Sequence, residues 1–311
     1  MTTDRIQATE GGLVIAVDLG GTNMRAAVVS ARGEILSRHV DPTPREASHP
    51  NGLAALVREV AAGSGASRAV IGVPGRVDHA EGSLEYAPNL PSHWAGHLSE
   101  SMLSGAIGIP VALANDADLA AVGEYRFGGG RGSMDMVYVT ISTGVGCAVI
   151  LGGRLVHGRR SLAEAGHTVI DRRAENGRRT FEGQASGTAL GRLAEEAGVE
   201  ARGRELVELV RRGDLSARWA WDSMVEAAGF GLANLAHLFS PEVIVVGGGV
   251  GLTGELLLEP LRVAVAAHGP RELPEPIRIV RAELGDDAGL AGAAGWRDTF
   301  VPVEPMKEAI A

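Results

Sequence analysis

Cysteine is almost missing from this chain: Cys147 stands alone among 311 residues. A disulfide framework and a cysteine-rich metal site are therefore both excluded within one chain. Lysine is as scarce, with Lys307 the single example and arginine supplying every other basic side chain. That excludes a Walker-A loop, which needs a Gly-Lys pair, and argues against Schiff-base chemistry. Positive charge is in deficit too, at a formal net charge of −9, whereas a nucleic-acid binder needs a basic face to neutralise phosphates. No apolar run reaches the roughly 18 residues that a membrane span requires. The polar stretch Met1–Gly12 has no signal-peptide core. The expectation is a cytoplasmic protein with neither nucleic acid nor membrane as partner. Any phosphate site must be built from glycine and hydroxyl groups, whose backbone N–H donors serve an acidic protein as well as a basic one.

What is present is globular in composition, with 45% apolar and 22% charged residues. The length suits two domains at about 150 residues each. Leu13–Val17 is a short β-branched run ending in Asp18-Leu-Gly-Gly-Thr-Asn23, and strand-like runs follow at Met24–Val29 and Glu34–Val40. That is a meander opened by a glycine turn. Asn51–Ala62 has helical spacing with Asn51 placed to cap it. Val70–Val73 and Val111–Ala114 are buried-type strands, and Asp116–Arg126 is helical.

From Met136 the opening pattern recurs: strand Val137–Ser142, turn Thr143-Gly-Val-Gly146, strand Cys147–Leu151. Hairpins beginning at Val14 and Val137 imply a duplicated domain, although independent origin would give the same pattern. Helices are expected at 187–197, 204–212 and 216–238. A strand at Val243–Val246, a glycine run at 247–251 and a helix near 253–267 come next, before a strand at Ile277–Val280 and a helix at Ala288–Trp296. The class is α/β with mixed sheets. The boundary falls near Asn115, giving a small domain 12–115 completed by 297–311, and a large domain 116–296.

Chemistry gathers at the glycine turns. Adjacent glycines permit positive φ and close approach of a ligand. The N–H groups of Gly20, Gly21 and Thr22, with the threonine hydroxyl, can then hold phosphate oxygens. Asp18 stands where it can hold Mg²⁺ through water. Alone, an ordinary hairpin turn capped by Asp18 explains the segment equally well. Ser142–Gly146 repeats the device, and two such loops facing each other across a cleft would grip a polyphosphate from both sides. Asn115-Asp116 closes a strand and opens a helix; both residues cap well, and a strand end is also where an α/β sheet places catalytic groups. Gly249-Val-Gly251-Leu-Thr-Gly254 fits a dinucleotide fingerprint. An NAD-enzyme reading on that basis would leave both hairpins unexplained.

Taken in order, these segments resemble the ROK family (repressors, open reading frames and sugar kinases) over nearly the full length. DLGGTN at 18–23 and STGVG at 142–146 resemble its phosphate motifs, and GVPGRVD at 72–78 a loop below the sugar. APNL at 87–90, NDADLAAVGEYRFG at 115–128 and EAGH at 164–167 resemble sugar-contact and catalytic segments, and VIVVGGGVG at 243–251 and DDAGLAGAA at 286–294 adenosine-binding ones. The resemblance implies an α/β, two-domain actin-like ATPase (ribonuclease H-like) fold with a cleft between domains. It implies ATP-dependent phosphorylation of a hexose, glucose at its 6-hydroxyl, with N-acetylmannosamine, fructose or broad hexose specificity as alternatives.

By the same resemblance Asp116 is the catalytic base. Gly75, Asn89, Asn115, Asp116, Glu164, His167 and Glu182 contact sugar. Asp18, Gly20, Gly21, Thr22, Asn23, Thr143, Gly144, Gly247, Gly248 and Gly249 serve ATP, with Mg²⁺ held through Asp18 by way of water. A homodimer is implied as well. A non-enzymatic ROK repressor would need an N-terminal helix-turn-helix, and only Met1–Gly12 precedes the first strand. The chain departs from many family members at 174–180 (AENGRRT), where a zinc segment rich in cysteine is usual; with four ligands needed, no zinc is expected.

Overall fold

The computed structural model describes residues 12–46, 50–161, 163–175 and 177–301. The N-terminal stretch through Gly11, and Lys307 within 302–311, lie outside the described residues. The chain divides into unit 1, Met1–Phe127 with Arg154–Ser161 and Asp287–Ala311, and unit 2, Gly128–Gly153 with Leu162–Asp286.

Unit 1 is built on a five-stranded sheet ordered Ile35–Pro42, Asn23–Val29, Val14–Leu19, Ala69–Val73, Val111–Asn115. The first three pair antiparallel through short turns, and the last two join in parallel. Val14, Ile15 and Ala16 are wholly buried, as expected of a central strand covered on both faces. The helix Asn51–Ala61 buries Leu53, Leu56, Val57 and Val60, the spacing of one helical face. Its cap is Pro50, without a side-chain bond, so Asn51 belongs to the first turn and does not cap it.

The helix Asp116–Phe127 lies against the C-terminal helix Ala288–Thr299. A Cβ on Gly123 would collide with the Ala288 carbonyl, and one on Gly292 with the Leu119 carbonyl. Only glycine allows backbones to meet so closely. This contact places the Asp116 helix in unit 1, which therefore runs to Phe127 and not to Asn115, and brings in the chain from Asp287. It also gives Gly292 of DDAGLAGAA a packing role in unit 1. Of the segment 297–311, residues 302–311 lie outside the described residues.

In unit 2 the strands lie in the order Val145–Leu151, Met136–Ile141, Val243–Gly247, Arg278–Arg281. The hairpin is antiparallel and the other neighbours are parallel. In both units the first hairpin strand therefore lies between its antiparallel partner and a later parallel strand, the arrangement that the repeated sequence pattern predicts. The expected helices appear at Gly187–Glu196, Gly203–Arg211, Leu215–Phe239 and Glu255–His268. Asp214 starts the longest, accepting from the Ala217 N–H at 2.8 Å. The glycine run is divided between the strand end at Gly247 and a four-residue helix, Gly248–Gly251. Among the described residues no helix is long and apolar enough to cross a membrane.

Candidate active site

In unit 1, Asp18, Gly72 and Ala114 stand in register on three adjacent strands, so Asp18 and Asp116 emerge at the same sheet edge. That edge, at the C-terminal ends of parallel strands, is where such sheets bind ligands. The turn after Asp18 is closed by the Gly20 N–H, which donates to the Asn23 carbonyl at 2.9 Å. Neither Gly20 nor Gly21 has the positive φ expected of adjacent turn glycines. Crowding explains them instead. A Cβ would lie 2.9 Å from the Asn23 carbonyl at Gly20, and 2.6 Å from the Asn89 carbonyl at Gly21. The Gly20 N–H is thus committed to the turn and not to a phosphate, while Thr22 and Asn23 are exposed at its tip.

Asp18 faces Arg25 across the hairpin. The Arg25 Nε donates to Oδ2 at 3.0 Å, and a terminal nitrogen bonds the same oxygen. Among the described residues no group of three His, Cys, Asp or Glu side chains is placed to hold a metal. One half-exposed carboxylate suits a hydrated cation shared with substrate phosphates, the habit of Mg²⁺.

Asn115 is buried and fully engaged at its oxygen. Oδ1 accepts from the Ala117 N–H at 2.8 Å and the Asp118 N–H at 3.2 Å, capping the helix, while Nδ2 donates to the Gly75 carbonyl at 2.9 Å. A sugar contact from Asn115 is left with one amide hydrogen. A Cβ at Gly75 would collide with the Tyr86 carbonyl, so this glycine lets the Asn89 segment lie against it, and Asn89 itself is exposed. Asp116 is exposed, with Oδ1 accepting from the Ala117 N–H at 2.8 Å. Unit 1 thus brings Asp18, Thr22, Asn23, Gly75, Asn89, Asn115 and Asp116 into one neighbourhood.

Sequence reasoning missed two residues here. Asp118 is 1% exposed; burial, with the nearby charge of Asp116, outweighs a hydrogen bond from Ser161 and pushes its carboxyl up to about 7. The available signal was an acid between the buried apolar residues Ala117 and Leu119. Arg45, exposed after Thr43, donates to the carbonyls of Gly21 and Asn89 at 2.6 and 2.9 Å; nothing local in the sequence announces it.

Unit 2 assembles the second turn differently. The Ser142 carbonyl accepts from the Gly187 N–H at 2.7 Å, and the Thr143 carbonyl from the Thr188 hydroxyl at 2.7 Å. The turn therefore rests on the start of the Gly187 helix, whose free N–H groups would otherwise need partners. Glu182 Oε2 accepts from the Val145 N–H at 2.9 Å, and a Cβ on Gly144 would collide with that oxygen. Glu182, expected to contact sugar, thus braces the glycine turn with one oxygen.

Gly166 fits against the Val145 carbonyl, where a Cβ would overlap it. That contact seats the turn Ala163–His167, in which His167 Nε2 lies 3.2 Å from Glu164 Oε2. Glu164, His167, Glu182, Thr143 and Gly144 are therefore neighbours. The segment without zinc ligands is held by ordinary bonds. Ile170 N–H donates to the Arg179 carbonyl at 2.9 Å and Phe181 N–H to the Thr168 carbonyl at 2.9 Å, while Arg178 pairs with Glu196 at 2.9 Å.

A cavity of about 770 Å³ opens beside this turn, entirely within unit 2. Ser142 and Thr143 line one side, Gly249 and Thr253 another, and Arg204, Val207 and Trp221 the rest. Its size lies within the usual range for small-molecule sites. Of the glycines expected there only Gly249 lines it. Gly247 is crowded by the Tyr138 hydroxyl, 2.6 Å from where its Cβ would be, and Gly248, at φ +79°, turns the chain against the Ile141 carbonyl.

Residues 14–299 match the ROK family. A glucokinase of Streptomyces coelicolor is 33% identical over 91% of this chain and 96% of its own length. The bifunctional enzyme NanE/NanK of Brucella melitensis is 38% identical over 92% of this chain and 54% of its own. The crystal structure of a ROK family glucokinase from Streptomyces griseus in complex with glucose and AMPPNP has a TM-score of 0.74 at 34% identity, covering 91% of this chain and 98% of that one. Kinases of this kind have the two-domain actin-like ATPase fold, and the sheets described above are of that fold. With the family model matched over residues 14–299 and glucokinases similar over nine-tenths of the chain, this sugar kinase belongs to the ROK family.

Proposed function

We propose that the protein phosphorylates the 6-hydroxyl of glucose with ATP. The observation that carries this is Asp116. It is exposed at the edge where Asp18 also emerges, while its neighbours Asn115 and Asp118 are buried. Asn115 fixes the helix start, and the Ala117 N–H holds one carboxylate oxygen of Asp116. The Asp116 carboxylate accepts the proton of the attacking hydroxyl. The γ-phosphoryl group then passes to that sugar oxygen, leaving ADP. Phosphoryl transfer asks mainly for positioning and charge neutralisation.

On this proposal the cavity in unit 2 takes the adenosine, with Val207 and Trp221 offering apolar surface and Thr143 and Gly144 standing on the phosphate side. In unit 1 itself, Thr22, Asn23 and the Gly21 N–H are the groups offered to phosphate. Asp18 would hold Mg²⁺ through water, and the ion would neutralise phosphate charge. Glu164, His167 and Asn89 bind sugar hydroxyls, and Glu182 does so through the oxygen that Val145 leaves free. Buried or oriented groups of this kind discriminate sharply, because a missing hydroxyl leaves one unpaired. The protein acts in the cytoplasm as a homodimer.

A second substrate has a specific basis. The NanE/NanK relative is 38% identical against 33% for the glucokinase quoted above, and a structure described as an N-acetylmannosamine kinase of Listeria monocytogenes has a TM-score of 0.78 at 26% identity, which favours N-acetylmannosamine. A panel of glucose, mannose, fructose and N-acetylmannosamine, each with ATP, ADP or polyphosphate as donor, decides between them. Glucose with ATP should give the highest kcat/KM; preference for N-acetylmannosamine would replace the first reading, and no turnover on any sugar would overturn both.

A further inference from the structure

The phosphate turn and the Asn89 segment share one arginine. Arg45 Nη1 donates to the Gly21 carbonyl at 2.6 Å and to the Asn89 carbonyl at 2.9 Å. Its backbone is fixed beside the turn. Thr43 Oγ1 donates to the Gly20 carbonyl at 2.7 Å, Thr43 N–H to the Thr22 carbonyl and Arg45 N–H to the Thr43 carbonyl, both at 2.8 Å. The two segments that Arg45 bridges touch directly, since only the missing side chain of Gly21 lets the Asn89 carbonyl approach. Two carbonyl oxygens directed at the same nitrogen carry like partial charges, and the cation between them offsets their repulsion. A guanidinium is well matched to this position, because it is always charged and its planar array of donors engages more than one acceptor at once. Among the described residues there is no lysine to share it.

We infer that Arg45 is a positioning residue that couples the two substrates, tying the segment that meets the sugar to the turn that meets the phosphates. The inference rests on the proposed function for the roles of Asn89 and the turn. A sugar that orders the Asn89 segment holds its carbonyl in place for Arg45. Arg45 in turn fixes Gly21, and through Thr43 the neighbouring turn residues. A nucleotide arriving second then has less ordering to impose, which is positive coupling without any large movement.

Coupling is directly measurable. The affinity for Mg-AMPPNP is determined by calorimetry with and without saturating glucose, or whichever sugar gives the highest turnover, in the wild type, Arg45→Gln and Arg45→Lys. Linkage requires that the sugar tighten nucleotide binding by the same factor as the nucleotide tightens sugar binding, about fivefold or more if coupling is of ordinary size. Arg45→Gln should bring that factor below about twofold while each ligand alone binds within about threefold of wild type. Arg45→Lys, with a cation but no planar fork, should retain an intermediate factor. A purely structural contribution would weaken both ligands without altering the factor. Undiminished coupling in Arg45→Gln overturns the inference, as does a wild type without coupling. If Arg45→Gln does not fold, Arg45→Lys decides alone: a factor equal to the wild type's overturns it. A wild type that phosphorylates no sugar defeats the proposed function, whereas active wild type with unchanged coupling in the variants defeats only the role of Arg45.

Discussion

Asp118→Asn should alter the pH dependence of stability in a direction that follows from burial. The folded protein encloses this carboxyl, gives its Oδ2 no hydrogen-bond partner among the described residues, and raises its pKa from 3.8 to about 7. Between those values the folded state keeps a proton that the unfolded chain has released, so stability falls as pH rises. The contribution is complete below the unfolded value and lost as pH passes through the folded one. At about 1.4 kcal/mol per pH unit, the whole window is worth about 4 kcal/mol at most. Asparagine has nearly the same shape, can still accept from Ser161, and does not titrate. Urea unfolding of both proteins at pH 5 and pH 8, extrapolated linearly, isolates the effect. Other groups cancel in the difference, including His79, which burial pulls down to about 4 and which acts in the opposite sense, destabilising the fold as pH falls from 6.5. The variant should gain about 2–3 kcal/mol on the wild type between pH 5 and pH 8. Parallel stability curves would refute the claim that Asp118 is buried with its proton.

Gly292→Ala would force a methyl group into the Leu119 carbonyl; a thermal melt should show a loss of about 1–3 kcal/mol, and kcat should fall because the Asp116 helix is displaced. His167→Ala should raise KM for the sugar about tenfold or more while leaving KM for ATP within about twofold, read from initial rates; equal changes in both would remove His167 from the sugar site. Elemental analysis of the purified protein should find no stoichiometric zinc, and a zinc-selective chelator should leave Tm unchanged, whereas removing Mg²⁺ should stop turnover. One zinc per chain, lost on unfolding, would contradict the reading of Ala174–Thr180.

The strands and both glycine hairpins were legible because β-branched runs bounded by glycine carry their own signal, as in Val14–Leu19 and Met136–Ile141. The long helices were legible to within three residues at either end. What the sequence could not show was which distant backbone a glycine accommodates. Gly21 serves the Asn89 carbonyl, Gly144 the Glu182 carboxylate and Gly292 the Leu119 carbonyl, so positive φ was the wrong local reason for the first turn. The same limit hid Arg45 and the bond by which one oxygen of Glu182 holds Val145. Asp118 was legible in kind, as an acid amid apolar residues, but only the enclosing fold shows that it is almost wholly shielded from water.

The central claim is that Asp116 takes the proton of the sugar hydroxyl, and Asp116→Asn tests it most directly when kcat and calorimetric sugar affinity are measured on the same preparation. Capping and base catalysis separate cleanly here, because Asn115 already caps the helix through its own side chain and asparagine keeps the shape of residue 116. The account predicts sugar binding within about threefold of wild type and a kcat reduced by at least 10²–10⁴, the usual contribution of a general base. A variant that binds sugar normally and retains about a tenth of the wild-type kcat would contradict it.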